Sequence, residues 1–154
     1  MIELMILLAV TMLLGAIGVG GGLYETILID PVWPSNPRII QPAQGGIRRA
    51  RFWIPAHAFY ELALIVSLIF SWSLGDVRYW LLAALTLQIV MRAWSFAVFI
   101  PKALAFEECA PEEVAIADAK AWTRWSRLRI PLSLLSVLAT SAALIRLGAV
   151  SVGP

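Results

Sequence analysis

Four long stretches of the chain consist almost entirely of apolar residues. Their limits are residues 4–29, 52–74, 79–100 and 130–150. The apolar core of a bilayer is about 30 Å thick, and about 20 helical residues cross it. Because lipid offers backbone groups no hydrogen-bond partner, each stretch is expected to be an α-helix rather than a strand. The pattern predicts an all-α, integral membrane bundle of four transmembrane helices in a single domain, residues 1–154.

The segments between the apolar stretches differ in character. Residues 30–51 contain four prolines and a Gly-Gly pair, which predicts an irregular loop and not a fifth span. Gly75-Asp76 lies in a short segment that predicts a tight hairpin. Pro101 is expected to end the third span. From Pro111 onwards, the spacing of apolar residues predicts an amphipathic helical segment that leads into the fourth span.

The composition supports a membrane protein and excludes several other classes. The sequence is 60% hydrophobic and 14% charged with a mean hydropathy of +0.82, whereas a soluble domain is roughly 25% charged. A net charge of +2 gives no indication of a nucleic-acid partner. Cys109 and His57 are each the only residue of their type, which excludes an intrachain disulfide and any two-histidine metal site. We therefore expect membrane lipid as a partner and no metal.

The basic residues predict the orientation in the membrane. Of the twelve Lys and Arg residues, nine lie in the first and third loops, two lie on the opposite side, and Arg92 lies within a span. Positively charged loops remain in the cytoplasm, so we expect a bacterial-type inner membrane protein with both termini outside. An aromatic belt at the two interfaces is expected from Trp33, Trp53, Trp72, Tyr79, Trp80, Trp122 and Trp125.

Four ionisable residues lie within the predicted spans at matched depths. At 1.5 Å of rise per residue, His57 and Glu25 are roughly 7 Å below the cytoplasmic surface, and Glu61 and Arg92 are roughly 13 Å below it. His57 and Glu61 share one helix face because they are four residues apart. Ionisable residues in a membrane indicate a functional site by default. We therefore predict two pairs, Glu61–Arg92 and Glu25–His57, around one pocket in the cytoplasmic half of the bilayer.

This cluster suggests catalytic roles. Glu25 and His57 are expected to move a proton, while Arg92, oriented by Glu61, stabilises developing negative charge. The residues expected to line the substrate pocket are Tyr24, Trp53, Tyr60, Gln88 and Trp94. The alternative is structural: paired charges also fix helix register without doing chemistry.

A glycine-rich stretch lies just before Glu25 in the first span. Gly18 and Gly22 form a small-xxx-small pair, which is typical of close helix approach. A second interpretation is that the missing side chains leave room for a flat ligand. Glycine-lined faces of small bundles also associate often, so a homo-oligomer is compatible with the sequence.

Several short segments resemble a family of small four-helix membrane proteins related to the anthrone oxygenases. They are Gly22-Leu-Tyr-Glu25 with Pro31-Val-Trp33, Arg51-Phe-Trp53, Phe99-Ile-Pro101 and Trp122-Thr-Arg-Trp-Ser-Arg-Leu-Arg129. Together these segments are spread over most of the chain. The resemblance implies a membrane enzyme that acts on lipophilic, often aromatic, small molecules.

A second resemblance is to styrene oxide isomerase, which holds haem b through one histidine. The matching residues are Ala56-His57 early in the second span and Ala93-Trp-Ser95 with Phe96 and Phe99 in the third. The resemblance implies His57 as an axial haem ligand. The sequence departs from that family's pattern after the histidine, where it has Tyr60-Glu61 in place of an asparagine.

Three functions follow as hypotheses. The first is a membrane enzyme, oxygenase-like or isomerase-like, acting on a hydrophobic small molecule in the cytoplasmic half of the bilayer. The second is a haem-binding membrane protein with His57 as ligand. The third is a non-catalytic accessory subunit of a membrane complex, in which the ionic pairs only hold helices together.

Overall fold

The protein is all-α, as the sequence predicts. The computed structural model describes residues 1–152, with side chains as far as residue 149. Within this range there is no strand, and the α-helices are α1 (Ile2–Tyr24), α2 (Ala50–Phe70), α3 (Gly75–Trp94), α4 (Ile100–Glu108), α5 (Ile116–Ser126) and α6 (Arg129–Val152). Two π-helical turns, Glu25–Ile29 and Ser95–Phe99, extend α1 and join α3 to α4.

Four helical segments are long and apolar enough to cross a membrane. They are Ile2–Ile29, Ala50–Phe70, Gly75–Glu108 and Ile116–Ala149. In the bundle, α1 packs against α2 and α6, and α3 packs against the same two helices. Neighbouring helices in this ring follow one another along the chain with alternating direction, as in an up-down bundle. The chain is thus a multi-pass membrane protein built as a four-helix bundle.

The bundle core combines aliphatic packing with hydroxyl contacts between helices. Leu64, Leu81 and Leu147 are fully buried at its centre. The Tyr60 hydroxyl lies 2.9 Å from the hydroxyl of Ser136, and so connects α2 to α6. Such hydrogen bonds stabilise helix pairs in lipid, where aliphatic side chains gain little by leaving the solvent.

The third helix is longer than the sequence predicts. We expected it to end at Pro101, but it continues to Glu108 as α4. Proline lacks a backbone N–H and its ring crowds the preceding turn. The wider π-helical turn Ser95–Phe99 immediately precedes it and relieves that crowding. As a result, α4 continues about two turns beyond the residue at which the third span was expected to end.

This projecting part of the chain builds a second hydrophobic core, which we call the cap. The cap consists of residues 30–47, α4 and α5. Its centre contains Trp33, Ile40, Phe99, Phe106 and Trp122, all buried. Trp33 and Trp122 therefore lie in a core rather than in the aromatic belt that we expected, with their ring centroids 5.9 Å apart. Within the loop, three 3₁₀ turns bring Gln41 to α4, where its side-chain amide donates to the Phe106 carbonyl at 2.9 Å.

The amphipathic segment before the fourth span is confirmed with a shifted beginning. Pro111–Glu113 forms a 3₁₀ turn, and the helix itself, α5, begins at Ile116. A turn at residues 127–128 then separates α5 from α6. This turn places Arg129 at the first position of α6, at the boundary between the bundle and the cap.

Gly15 sets the close approach of α1 to its neighbours. A Cβ at this position would lie 2.7 Å from Val137 and 2.9 Å from the Tyr60 ring, whereas a Cβ at Gly20 would meet nothing within 4 Å. We expect Gly15→Leu to lower the free energy of unfolding by about 2 kcal/mol, because overpacking forces the helices apart. Thermal unfolding in detergent measures this, with Gly20→Leu as the control on the same helix. Equal unfolding midpoints for the two variants would contradict the close packing.

Candidate functional site

A cavity of about 420 Å³ lies where the bundle meets the cap. The transmembrane helices and the cap all contribute to its walls. Most of the walls are apolar, and the charged side chains that line it are Glu25, Asp30, Arg49, Arg92, Glu107 and Arg129. An apolar cavity with a few convergent polar groups is the usual form of a small-molecule site. The cavity therefore defines the candidate site.

Arg49 connects the bundle to the cap at the cavity wall. Its guanidinium lies 3.1 Å from Glu25, at the end of the first span, and 2.7 Å from Glu107 on α4. The side chains are 8%, 18% and 16% exposed for Arg49, Glu25 and Glu107. Hydrogen bonds between ionised partners are the strongest that side chains form. We call this group the Arg49 clamp.

The Glu25–His57 pair that we expected does not form. One Glu25 oxygen accepts from Arg49, and the other accepts from the Trp53 indole N–H at 2.8 Å. Trp53 instead lies between the two residues: its ring stacks on the His57 ring with centroids 5.0 Å apart. The pair does not form because the long side chain of Arg49 reaches Glu25 from the start of α2.

The Glu61–Arg92 pair is present and includes the histidine. The Arg92 guanidinium donates to the Glu61 carboxylate and to Nδ1 of His57, so α3 is bonded to two residues on one face of α2. A guanidinium has no acceptor, so Nδ1 of His57 accepts, and Nε2 carries the proton in the neutral ring. This unit lies at the membrane end of the cavity, where both Arg92 and His57 contribute to the lining.

His57 does not fit the role of a haem ligand in this arrangement. An axial ligand needs a nitrogen lone pair directed at the iron. The lone pair at Nδ1 is directed at Arg92, and Nε2 is protonated as a consequence. Within residues 1–152, no group of three or more His, Cys, Asp or Glu side chains is placed to hold a metal ion.

Asp30 is a buried acid in the cavity wall that the sequence analysis assigned to the loop. It follows the π-helical turn of the first span and is 4% exposed. The Trp33 indole N–H donates to one of its oxygens at 3.3 Å. Burial, with a smaller contribution from nearby Glu25, raises the pKa of Asp30 from 3.8 to about 6. The carboxyl group can therefore gain or lose a proton near neutral pH.

Arg129 differs from the other two arginines of the cavity in its partners. It donates to the backbone carbonyl and hydroxyl of Ser126 and, at 3.4 Å, to the Ser95 hydroxyl. The guanidinium lies over the Phe99 ring, 4.7 Å from its centroid. Among the residues that the structure describes, no carboxylate lies within ion-pairing distance of Arg129. All of its hydrogen bonds are with neutral groups, and the carboxylates of Glu25 and Asp30 attract it only at longer range.

Of the five residues predicted to line a substrate pocket, only Trp53 does so. Tyr24 is 60% exposed on the outer surface of the bundle, since it is turned by about 100° from the next residue on the helix. Tyr60 and Gln88 are buried and border a separate void of about 10 Å³. Trp94 packs against the core of the cap. Helical rotation and the unexpected cap explain these differences.

Gly18 leaves space and does not bring helices together. A Cβ at this position would meet no heavy atom within 4 Å, and Gly18 lines the cavity. A Cβ at Gly22 would lie in ordinary contact with Ile130 at 3.5 Å. Of the two interpretations of this glycine pair, the structure therefore supports room for a ligand at Gly18.

The cavity opens sideways between α2 and the extended third helix. Four of its lining residues are also exposed on the outer surface: Ile54, Phe96, Ile100 and Leu104. All four are apolar and lie on helices long enough to cross a membrane. We call this opening the portal.

Comparison with known proteins adds nothing to this geometry. No protein-family model matches the chain, and no curated protein or solved structure is significantly similar to it. The two resemblances noted from short segments therefore stay predictions.

Removing Arg49 is expected to weaken the junction of bundle and cap. Arg49→Met leaves Glu25 and Glu107 unpaired in a largely buried site, which should lower the free energy of unfolding by about 3 kcal/mol. Arg48→Met is the matched control, because Arg48 is exposed and surface substitutions have effects of about 0.5 kcal/mol or less. Denaturation in detergent compares the two variants, and indistinguishable stabilities would show that the clamp contributes nothing.

Proposed function

We propose that the protein is an integral membrane enzyme that acts on a lipophilic small molecule by proton transfer. One observation carries this proposal: a buried carboxyl group, Asp30, and an arginine without a carboxylate partner, Arg129, line the same apolar cavity. The sequence suggested an oxygenase-like or an isomerase-like reaction, and the proposal favours the isomerase-like one. Proton transfer needs only an acid–base group and a charge-stabilising group.

Size and access support a small lipophilic substrate. Pockets for small molecules occupy roughly 300–1,000 Å³, and this cavity of about 420 Å³ is within that range. The portal is lined by apolar side chains where lipid surrounds the helices. A substrate dissolved in the membrane would reach the cavity through it without crossing water.

Asp30 would act as the proton-transfer residue. An acid–base catalyst is most effective when its pKa is close to the working pH, and burial raises the pKa of Asp30 to about 6. At neutral pH the ionised form dominates and can take a proton from the substrate. Arg129 would stabilise the negative charge that develops on a substrate oxygen, because its N–H groups are preorganised in a site shielded from water.

The catalytic residues inferred from the sequence would hold the site in shape. Glu25 is bound by Arg49 and Trp53, and Arg92 is bound by Glu61 and His57. Each of these groups is engaged with a protein partner. We assign them to positioning, and we transfer the charge-stabilising role from Arg92 to Arg129.

The location in the cell follows from the charge bias along the chain. Nine of twelve basic residues lie in the loops at the cap end, and positively charged loops remain in the cytoplasm. The proposal therefore places the cavity in the cytoplasmic half of a bacterial-type inner membrane, with both termini outside. A relation to the anthrone oxygenases would agree with a lipophilic substrate.

Proton transfer leaves a mark that can be found without knowing the substrate. An enzyme of this kind exchanges substrate hydrogen with solvent, so incubation in D₂O with a lipophilic cell extract should add deuterium to one extract component. Mass spectrometry detects the shift. Since the ionised carboxylate is the base, the rate should rise with pH through about pH 6.

Two variants test the assignment. Asp30→Asn should abolish the incorporation while the unfolding midpoint is retained, because the amide keeps the size of the side chain and cannot take the proton. Asp118→Asn, an exposed acid on α5, is the matched control and should behave as the wild type. Undiminished incorporation by Asp30→Asn would refute the assignment, and no incorporation by the wild type would favour the non-catalytic subunit.

A further inference from the structure

Building on the proposed function, we propose that the cavity takes a single-chain amphiphile with an acidic head group. The head group would be bound by Arg129 together with the hydroxyls of Ser95 and Ser126. The apolar chain would run from this end towards the portal.

The first step concerns the charge of Arg129. A guanidinium has five N–H donors, and Arg129 uses three contacts, all with neutral oxygens. By contrast, Arg49 is bonded to two carboxylates and Arg92 to one. A cation in an apolar site costs free energy unless an anion compensates it. A carboxylate matches the planar fork of a guanidinium and accepts two of its hydrogen bonds.

The second step concerns the acids that share the cavity. Glu25 and Glu107 are both bonded to Arg49, which leaves Asp30 as the carboxyl group most affected by an incoming anion. The charged groups that influence Asp30 are Glu25, Arg127, Arg49 and Arg129, and its pKa is already raised to about 6. A bound anion raises the pKa further. Proton transfer still requires the ionised form of Asp30, so the rate with an acidic ligand should rise at a higher pH than the pKa of the free site.

The third step concerns the chain of the ligand. Apart from its charged residues, the cavity wall is formed mainly by small or apolar residues, including Gly18, Met91 and Ile100. A Cβ at Gly18 would meet nothing within 4 Å, so the wall there is open. A volume of about 420 Å³ is that of a small-molecule pocket. We therefore assign one chain and not a two-chain phospholipid.

Tryptophan fluorescence provides a direct test, since Trp53 and Trp122 line the cavity. The probes are undecanoate and undecanol, each brominated at the chain end, because bromine quenches a nearby indole. They are titrated into the purified full-length protein in a neutral detergent. We expect saturable quenching by the acid at a concentration about tenfold lower than by the alcohol. The reason is that a charge-assisted hydrogen bond increases affinity by about tenfold or more.

Substitutions at the head-group site should remove this preference. Arg129→Gln is expected to weaken binding of the acid about tenfold and to leave binding of the alcohol unchanged, which also verifies that the cavity is intact. Arg129→Lys retains the charge and should recover most of the preference. Arg124→Gln is the matched control, since Arg124 is exposed on α5 five residues away, and it should not alter either affinity.

The outcomes separate this inference from the proposed function. If acid and alcohol bind equally and Arg129→Gln changes neither, the acidic head group is refuted. If Gly18→Leu abolishes quenching by both probes in that case, the cavity still binds lipophilic molecules and the proposed function is retained. If quenching by the probes is the same in the Gly18→Leu variant, the Gly20→Leu control and the wild type, the probes bind outside the cavity. Both proposals then fail. Displacement of the acid by diacyl phosphatidylglycerol at equal concentration would overturn the single-chain assignment.

Discussion

The compensation of charge at the cap end of the bundle is the constraint on which the rest of the structure depends. A charge left alone in a low-dielectric site costs several kcal/mol. Arg49, at the start of the second span, meets this cost by binding Glu25 of the first span and Glu107 of α4 at once. One guanidinium thus connects the cap to the bundle. Because the cap bridges the helices instead of filling the space between them, a cavity remains below it.

Arg129 is the exception to this compensation of charge within the protein. Arg49 and Arg92 are compensated within the protein, whereas Arg129 contacts only neutral groups among the described residues. Asp30, which lines the same cavity, is a buried acid that can change its protonation near neutral pH. A fold that pairs its charges elsewhere thus leaves one cation and one titratable acid available to a ligand. Apolar residues of α2 and of the extended third helix line the same cavity and are exposed on the outer surface.

The sequence predicted those features that depend on distance along the chain. Hydropathy gave four spans, and constant helical rise placed Glu61 level with Arg92, which pair as expected. It did not predict features that depend on packing between distant segments. The burial of Asp30 requires the cap, whose core joins Trp33 to Trp122 across almost ninety residues. Glu25 pairs with Arg49 because the Arg49 side chain is long enough to reach it. A comparison of residue depths along the helices does not take the length of a side chain into account.

The most direct test asks whether membrane-dissolved molecules reach the charged end of the cavity. Ser133 lines the cavity from α6, and a Ser133→Cys variant with the native Cys109 replaced by alanine offers one thiol there. In lipid vesicles, a lipophilic maleimide should label this thiol much faster than a membrane-impermeant one, and a Trp at Ile54 in the portal should suppress the labelling. Equal labelling by both reagents, or labelling unaffected by the portal Trp, would show that the cavity does not open to lipid.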